Sequence, residues 1–307
     1  EISECLVGSE MCIRDRAHSH LASLYYENTF AEKYLLHFDG DFRRSNENNS
    51  VATTYTDSSN PAVNSTDERA STLWAGKLYL NFPVGKGDFT VGTQDSYTHT
   101  SLDYRMLNDA VSEYIPSSLT DARQTSASLF ASWSRLFGKF SLAVGARYEY
   151  VDYDFKVNGK RDEDVSRRDN LLTPDLSLGY SFDEEAQISL SYKMATVKPS
   201  YSQLTGSLSY TGLHQIEGGN PALRDERMHD IQLFAMWKGF MLQADYTRSL
   251  DTYAFVKQVY PADNLQLLMH PVNIDVSALN LYLVWRRPIR RWTPNVTVGM
   301  YRQWLQL

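Results

Sequence analysis

From Leu21 onward, apolar residues recur at every second position, the period of a strand with two unlike faces. Phe140, Leu142, Val144, Ala146, Tyr148 and Tyr150 fall on one face, while Ser141, Gly145, Arg147 and Glu149 fall on the other. Ile188, Leu190, Tyr192 and Met194 alternate in the same way with Ser189, Ser191 and Lys193. Phe240, Leu242, Ala244 and Tyr246 alternate with Gln243 and Asp245, and Leu279, Leu281, Leu283 and Trp285 with Asn280, Tyr282 and Arg286. Similar runs cover 34–42, 78–82, 176–182 and 231–237. The pattern predicts about twelve strands of roughly ten residues each, the length of a tilted strand that crosses a bilayer. Strands of soluble sheets average about five or six residues. No segment keeps a 3.6-residue apolar stripe, so no helix is predicted.

The connections alternate between two sizes. Short turns occupy 82–88, 137–139, 182–185 and 237–239, and a fifth spans 286–294. Long polar links are expected at 44–71, 95–123, 152–170, 195–229 and 249–273. All the long links therefore lie at one end, the asymmetry of an outer-membrane barrel with tight periplasmic turns and long external loops. Aromatic residues flank the short turns: Phe82 and Phe89, Trp133 with Phe137 and Phe140, Phe182, Trp237 and Phe240, Trp285 and Trp292. Rings gathered at one end of every hairpin suit the interfacial girdle of such a barrel. Aromatic packing at the end of a soluble β-sandwich is the competing explanation.

Composition narrows the class further. No stretch approaches 18 consecutive apolar residues, which rules out a helical span, whereas alternating faces cancel in any hydropathy average and leave a barrel open. A net charge of −7 and scattered Lys and Arg argue against a nucleic-acid surface. Leu6 to Asp15 resemble the in-frame translation of a sequencing adapter, so residues 1–16 are set apart from residues 17–307. Both cysteines, Cys5 and Cys12, fall in that segment, which removes disulfide, thiolate-metal and cysteine-nucleophile chemistry from the remainder.

The most specific stretch runs Lys198-Pro-Ser-Tyr-Ser-Gln-Leu204 and then Glu217-Gly-Gly-Asn-Pro-Ala-Leu-Arg-Asp-Glu226. It resembles the barrel of TonB-dependent outer-membrane receptors of the Bacteroidetes type. In that family a strand ends in an Arg-Pro-Ser-Tyr-like element and re-enters through Gly-Asn-Pro-x-Leu-x-Pro-Glu. Pro199, Tyr201, Leu204, Gly219, Asn220, Pro221, Leu223 and Glu226 fit that pattern, with Lys198 in place of arginine and Asp225 in place of the second proline. Gly145-Ala-Arg-Tyr-Glu149, Leu172-Thr-Pro-Asp-Leu176 and Asn273 resemble further family positions. Read physically, Pro199 removes a ladder donor and should end the strand begun near Ile188. Gly218-Gly219 and Asn220-Pro221 should fix a tight turn, glycine by positive φ and proline by its locked φ. That turn organises strand re-entry in the preferred reading, and contacts a ligand in the second.

Enzymatic motifs are absent: the chain has no Gly-x-Ser-x-Gly, no His-Glu-x-x-His and no P-loop lysine motif. His18 and His20 adjoin the set-apart segment, and His99, His214, His229 and His270 are scattered singly. Asp39-Gly-Asp41 lacks the remaining ligands of a calcium loop, and 162–164 and 183–185 are charge runs in loops. No catalytic residue, cofactor or metal is expected. Arg147, Glu149, Lys193 and Arg286 lie on non-lipid faces and should point into the lumen, either to meet a plug domain or to solvate a wet interior.

The sequence thus predicts an all-β chain, an antiparallel up-and-down transmembrane β-barrel that is incomplete. The resemblance implies energised uptake of a large nutrient, a metal chelate or a glycan. Its partners would be outer-membrane lipid, that nutrient and the TonB complex, reached through a plug region upstream of this chain. Family barrels have about 22 strands, and Leu307 is not the aromatic that closes an outer-membrane strand, so further strands are expected beyond both ends. Two other classes stay open, a plugless surface or adhesion barrel and a soluble β-rich binding module.

Overall fold

A computed structural model of the chain describes residues 2–6, 9–55, 62–108, 115–204, 208–212, 215–260 and 263–306. The elements are β1 (Ile2–Leu6), β2 (Ser9–Phe30), β3 (Tyr34–Tyr55), β4 (Val63–Val84), β5 (Gly87–Met106), β6 (Ser118–Phe137), β7 (Phe140–Val157), β8 (Lys160–Arg161) and β9 (Arg167–Asp183). They continue with β10 (Ala186–Val197), a single helical turn α1 (Tyr201–Leu204), β11 (Leu208–Gly212), β12 (Gln215–Gly218), β13 (Glu226–Trp237), β14 (Phe240–Tyr260), β15 (Asp263–Arg286) and β16 (Asn295–Gln306). The long strands pair antiparallel with their sequence neighbours, from β2 through β7, β9, β10 and β13 to β16. That makes twelve long strands in up-and-down order, an incomplete outer-membrane barrel; among the described residues β16 does not pair with β2.

Two-residue turns close the sheet at one end. Between β13 and β14, Lys238 and Gly239 take φ of 49° and 88°, the left-handed pair whose twist matches the flanking strands. Gly85 and Gly138 supply positive φ in the turns before β5 and β7. Aromatic pairs brace these ends, including Phe82 on Phe89 and Phe240 on Trp285.

Register places whole rows of side chains on one face. Phe140, Val144 and Tyr148 of β7 stand opposite Tyr180, Leu176 and Leu172 of β9, and opposite Phe137, Trp133 and Leu129 of β6. Trp74, Leu78, Leu129, Tyr148, Leu172, Ile188 and Leu283 are all exposed, as lipid-facing residues must be. In β7 this apolar belt runs from Phe140 to Tyr150, close to the predicted ten residues. The strand, however, continues to Val157.

The expectation of ten-residue strands joined by long polar links is corrected here. β3, β4 and β14 are 22, 22 and 21 residues long, and most of 44–71, 95–123 and 249–273 is strand. Past the belt both faces are free of lipid, so the outer face turns polar while the backbone ladder persists. Asp152 and Asp154 face outward and pair with Arg168 and Arg161. On the inner face of the same segment, Val151, Tyr153 and Phe155 are buried. The alternation therefore inverts: apolar residues point outward within the belt and inward above it. Residues 9–16 of the set-apart segment lie in β2, where Cys12 stands opposite Ala52 and Arg16 opposite Asn48.

Candidate functional site

At the far end of the sheet, β10 stops at Val197, two residues before buried Pro199. Ser200 then caps α1. Its Oγ accepts the Gln203 N–H at 3.3 Å, and Gln203 Oε1 accepts the Ser200 N–H at 2.9 Å, a reciprocal capping box. Tyr201 is the first residue of that turn and Leu204 the last.

Asn220 holds the second half of the motif. Its N–H donates to the Gln203 carbonyl at 2.6 Å, its Nδ2 donates to the Pro271 carbonyl of β15 at 3.1 Å, and its Oδ1 accepts the Ala222 N–H at 3.0 Å. Pro221 supplies the fixed φ of the turn, which closes with Leu223 N–H on the Asn220 carbonyl at 3.1 Å. The expectation that Gly218-Gly219 makes this turn by positive φ is corrected: among the described residues the glycines with positive φ sit at 85, 138, 159 and 239, and Gly218 ends β12. The Asx geometry of Asn220 and the ring of Pro221 do that work instead. Asn273 clamps the exit, its Oδ1 accepting the Arg224 N–H at 2.9 Å. The Glu226 N–H donates to Tyr253 Oη at 3.1 Å, and Tyr253 in turn donates to the Val197 carbonyl at 2.7 Å, which ties strand exit to re-entry.

Underneath, Leu204 and fully buried Leu223 pack with Ala122, Tyr153, Phe155 and Val165. Sequence spacing had not linked these two leucines to β6 and β7. The inverted alternation above the belt supplies the inner apolar face that they cover. Asp225, beside them, is pushed above the usual carboxylate range by burial, against the opposing charges of Arg167 and Lys198. Burial likewise pushes Tyr253 up to about 12.

A cavity of about 440 Å³ opens between this motif and the ends of β3 to β5. Glu47, Asn49, Asp67, Arg69, Tyr104 and Glu217 give it polar walls, Phe255 and Gly219 border it, and Asp15 of the set-apart segment also reaches it. Burial raises the Asp67 carboxyl, with Arg69 and Asn49 opposing. Arg69 lies 3.5 Å from Glu47. The Asn49 Oδ1 is buried without a hydrogen-bond partner.

The charges predicted to be lumenal separate into groups. Glu149 accepts Lys198 Nζ at 2.7 Å and the Ser126 hydroxyl, so it joins β7 to the motif. Arg147 donates to Gln94 at 2.5 Å and to Ser128 at 2.9 Å. Lys193 borders the same cavity as Arg147 and Glu149, together with Lys77 and Asp175. Gly145 gives the Asp175 carboxylate its room, since a Cβ there would collide with it. Arg286 is remote from the others, at the end of β15 next to the tight turns.

The sequence reading missed His37. Its Nδ1 lies 3.1 Å from Glu27 and its Nε2 2.7 Å from Asp39, with the ring stacked on Tyr79. The turn at 31–33 carried the signal, because closing it places Glu27 opposite His37. His99 bonds Asp121 at 2.6 Å and His229 bonds Tyr192 at 2.9 Å, whereas His214 lies outside the described residues. Among the described residues no grouping of three or more His, Cys, Asp or Glu side chains is arranged to hold a metal ion.

The outer membrane protein beta-barrel family matches over residues 28–306. Among solved structures, the chain resembles the ferric yersiniabactin uptake receptor FyuA of Yersinia pestis at 13% identity and a TM-score of 0.53, covering 97% of this chain and 43% of that one. It resembles the ferric-catecholate import receptor Fiu of E. coli K12 at 10% identity and 0.58, covering 98% and 48%. The copper transporter OprC is similar at 9% identity and 0.57, covering 96% and 56%. The chain thus spans about half the length of these structures, and the likeness establishes a shared fold. No curated protein matches it by sequence.

Proposed function

Because the chain belongs to the outer membrane protein beta-barrel family, a match spanning most of its length, we propose that it forms part of an outer-membrane receptor that takes up a large polar nutrient. Uptake would be energised through the TonB complex and a plug region, as the resemblance at Pro199–Glu226 implies. One observation carries this reading. A motif locked by Asn220 and Leu223 walls a polar cavity at the long-strand end of the sheet, opposite the tight turns.

Of the two nutrient classes, the cavity lining favours a neutral, hydroxyl-rich ligand over an anionic metal chelate. Glu47, Asp67 and Glu217 accept hydroxyl hydrogens but repel negative charge, while Tyr104 and Phe255 border the space with rings.

The test uses outer-membrane vesicles that carry the chain, equilibrated with radiolabelled malto-oligosaccharides and, separately, with ferric citrate. The expected result is saturable retention of the oligosaccharides, abolished in a chain lacking residues 201–223 that still inserts. Insertion with no saturable retention of either probe contradicts the receptor reading and leaves a surface barrel. Retention of ferric citrate alone overturns the ligand class.

A further inference from the structure

At the opposite end of the sheet, the connection from β15 to β16 differs from the other tight turns. Residues 287–294 read Arg-Pro-Ile-Arg-Arg-Trp-Thr-Pro, and Arg286 precedes them. Ile289 and Trp292 form an isolated bridge through two backbone hydrogen bonds of 2.7 and 3.0 Å. Arg290, at φ 56°, and Arg291 are the two residues at its tip. Pro288 and Pro294 bracket the bridge and stiffen its stem. The result is a small, rigid second hairpin beyond the end of the apolar belt.

Its chemistry is one-sided. Arg286, Arg287, Arg290 and Arg291 are all exposed, and among the described residues none of them forms an ion pair. Trp292 is 80% exposed and Ile289 is exposed beside it. The turn continues directly from the lipid-facing rings: Trp285 packs on Phe240, and the Arg286 N–H donates to the Gly239 carbonyl of the neighbouring turn at 2.8 Å. The nearest acidic run, 183–185, belongs to the β9–β10 turn, where the Glu185 carbonyl accepts the Lys238 N–H at 3.1 Å. An indole and the three guanidinium groups of Arg287, Arg290 and Arg291 just past an apolar belt form an arrangement for the membrane surface, where the ring sits at headgroup depth and arginines bind phosphate through paired donors.

We infer that the Arg286–Pro294 turn is a binding surface for the phosphate groups of anionic phospholipid in the leaflet on the tight-turn side. Continuity with the lipid-facing belt decides between lipid and a soluble acidic partner, because the turn emerges where the bilayer surface already lies. The turn then anchors this edge of the barrel and gathers anionic lipid around it.

The full chain, reconstituted in phosphatidylcholine vesicles with a minority of phosphatidylglycerol, provides the test. Bromine on one lipid or the other quenches nearby indoles, and the difference between the parent chain and Trp292→Phe isolates the signal of Trp292. The expected result is a local enrichment of phosphatidylglycerol of about fivefold, roughly what one basic side chain gains near an anionic surface. The enrichment should collapse to unity in R287Q/R290Q/R291Q and in about 1 M salt, where screening acts within about 3 Å. Arg→Lys at the same three positions should retain most of it, which separates loss of charge from loss of fold. Equal quenching by both brominated lipids would overturn the inference, as would an enrichment indifferent to the triple substitution. Protection of Trp292 by polyglutamate in pure phosphatidylcholine, without any lipid preference, would overturn it in favour of an acidic protein partner.

Discussion

Replacing Asn220 by alanine should loosen the mouth without unfolding the barrel. The side chain contributes two hydrogen bonds, one donated to the carbonyl of fully buried Pro271 and one accepted from Ala222. Leaving the Pro271 carbonyl unsatisfied costs about 1–3 kcal/mol, and loss of the Asx bond about 0.5–1.5 kcal/mol more. A central sum of about 3 kcal/mol corresponds to an opening equilibrium raised roughly a hundredfold, since about 1.4 kcal/mol is tenfold. Amide hydrogen exchange of the chain in bilayers reads this directly at Ala222, Leu223 and Arg224, whose N–H groups all lie in the motif. Exchange at Val144 and Leu176, within the belt ladder, should not change. Asn220→Asp separates the two bonds, because a carboxylate still accepts from Ala222 but cannot donate to Pro271; it should recover only the smaller part. Motif amides that exchange within about threefold of the parent rate would falsify the assignment of Asn220 as the pin between α1 and β15.

Leu223→Ala empties a site with 0% exposure and should destabilise the mouth by about 2–5 kcal/mol; limited proteolysis should then cut within 198–226 while the belt stays protected. Asp225 holds a raised carboxyl, so its contribution favours the folded mouth below the ordinary carboxylate value and is lost as pH rises through the raised one. Asp225→Asn should therefore flatten the acid-to-neutral slope in mouth stability, followed by exchange at Leu223, and a less stable variant at neutral pH would show that the Arg167 contact outweighs burial. On β6, Leu129 and Leu119 share the outer face, inside and beyond the belt respectively. Leu129→Arg should cost about 2–4 kcal/mol in bilayer folding titrations and Leu119→Arg less than about 1 kcal/mol; equal costs would misplace the boundary.

Where side chains had one wet face and one lipid face, the fold was legible residue by residue. The row Phe140, Leu142, Val144, Ala146, Tyr148 and Tyr150 marks both a strand and its lipid side, and the tight turns fix the register of its partners. Above the belt the signal failed for a physical reason. With water on the outer face and a small apolar core within, stretches such as Asn46–Ser50 and Thr98–Ser101 carry no plain alternation, yet they remain paired strand. The motif residues could be found by resemblance, and Asn220 and Pro221 by turn chemistry. The burial of Leu204 and Leu223 against Tyr153 and Phe155 joins segments about 50 to 70 positions apart, which local periodicity cannot see. The Glu27–His37–Asp39 group needed only the hairpin register at 31–33.

The central claim is that one face of these strands meets lipid up to Tyr150 and that the two faces exchange character beyond it. Single spin labels at each position from Ser141 to Phe155 of β7 except Gly145, in a background with Cys5 and Cys12 replaced by alanine, test it most directly. With the chain in bilayers, oxygen accessibility should peak at Leu142, Val144, Ala146, Tyr148 and Tyr150, and nickel-chelate accessibility at Ala143 and Arg147. From Asp152 onward the chelate should reach 152 and 154 while 153 and 155 are shielded from both probes. A profile without the two-residue period, or one that keeps the same lipid-facing parity through Asp154, would contradict the account.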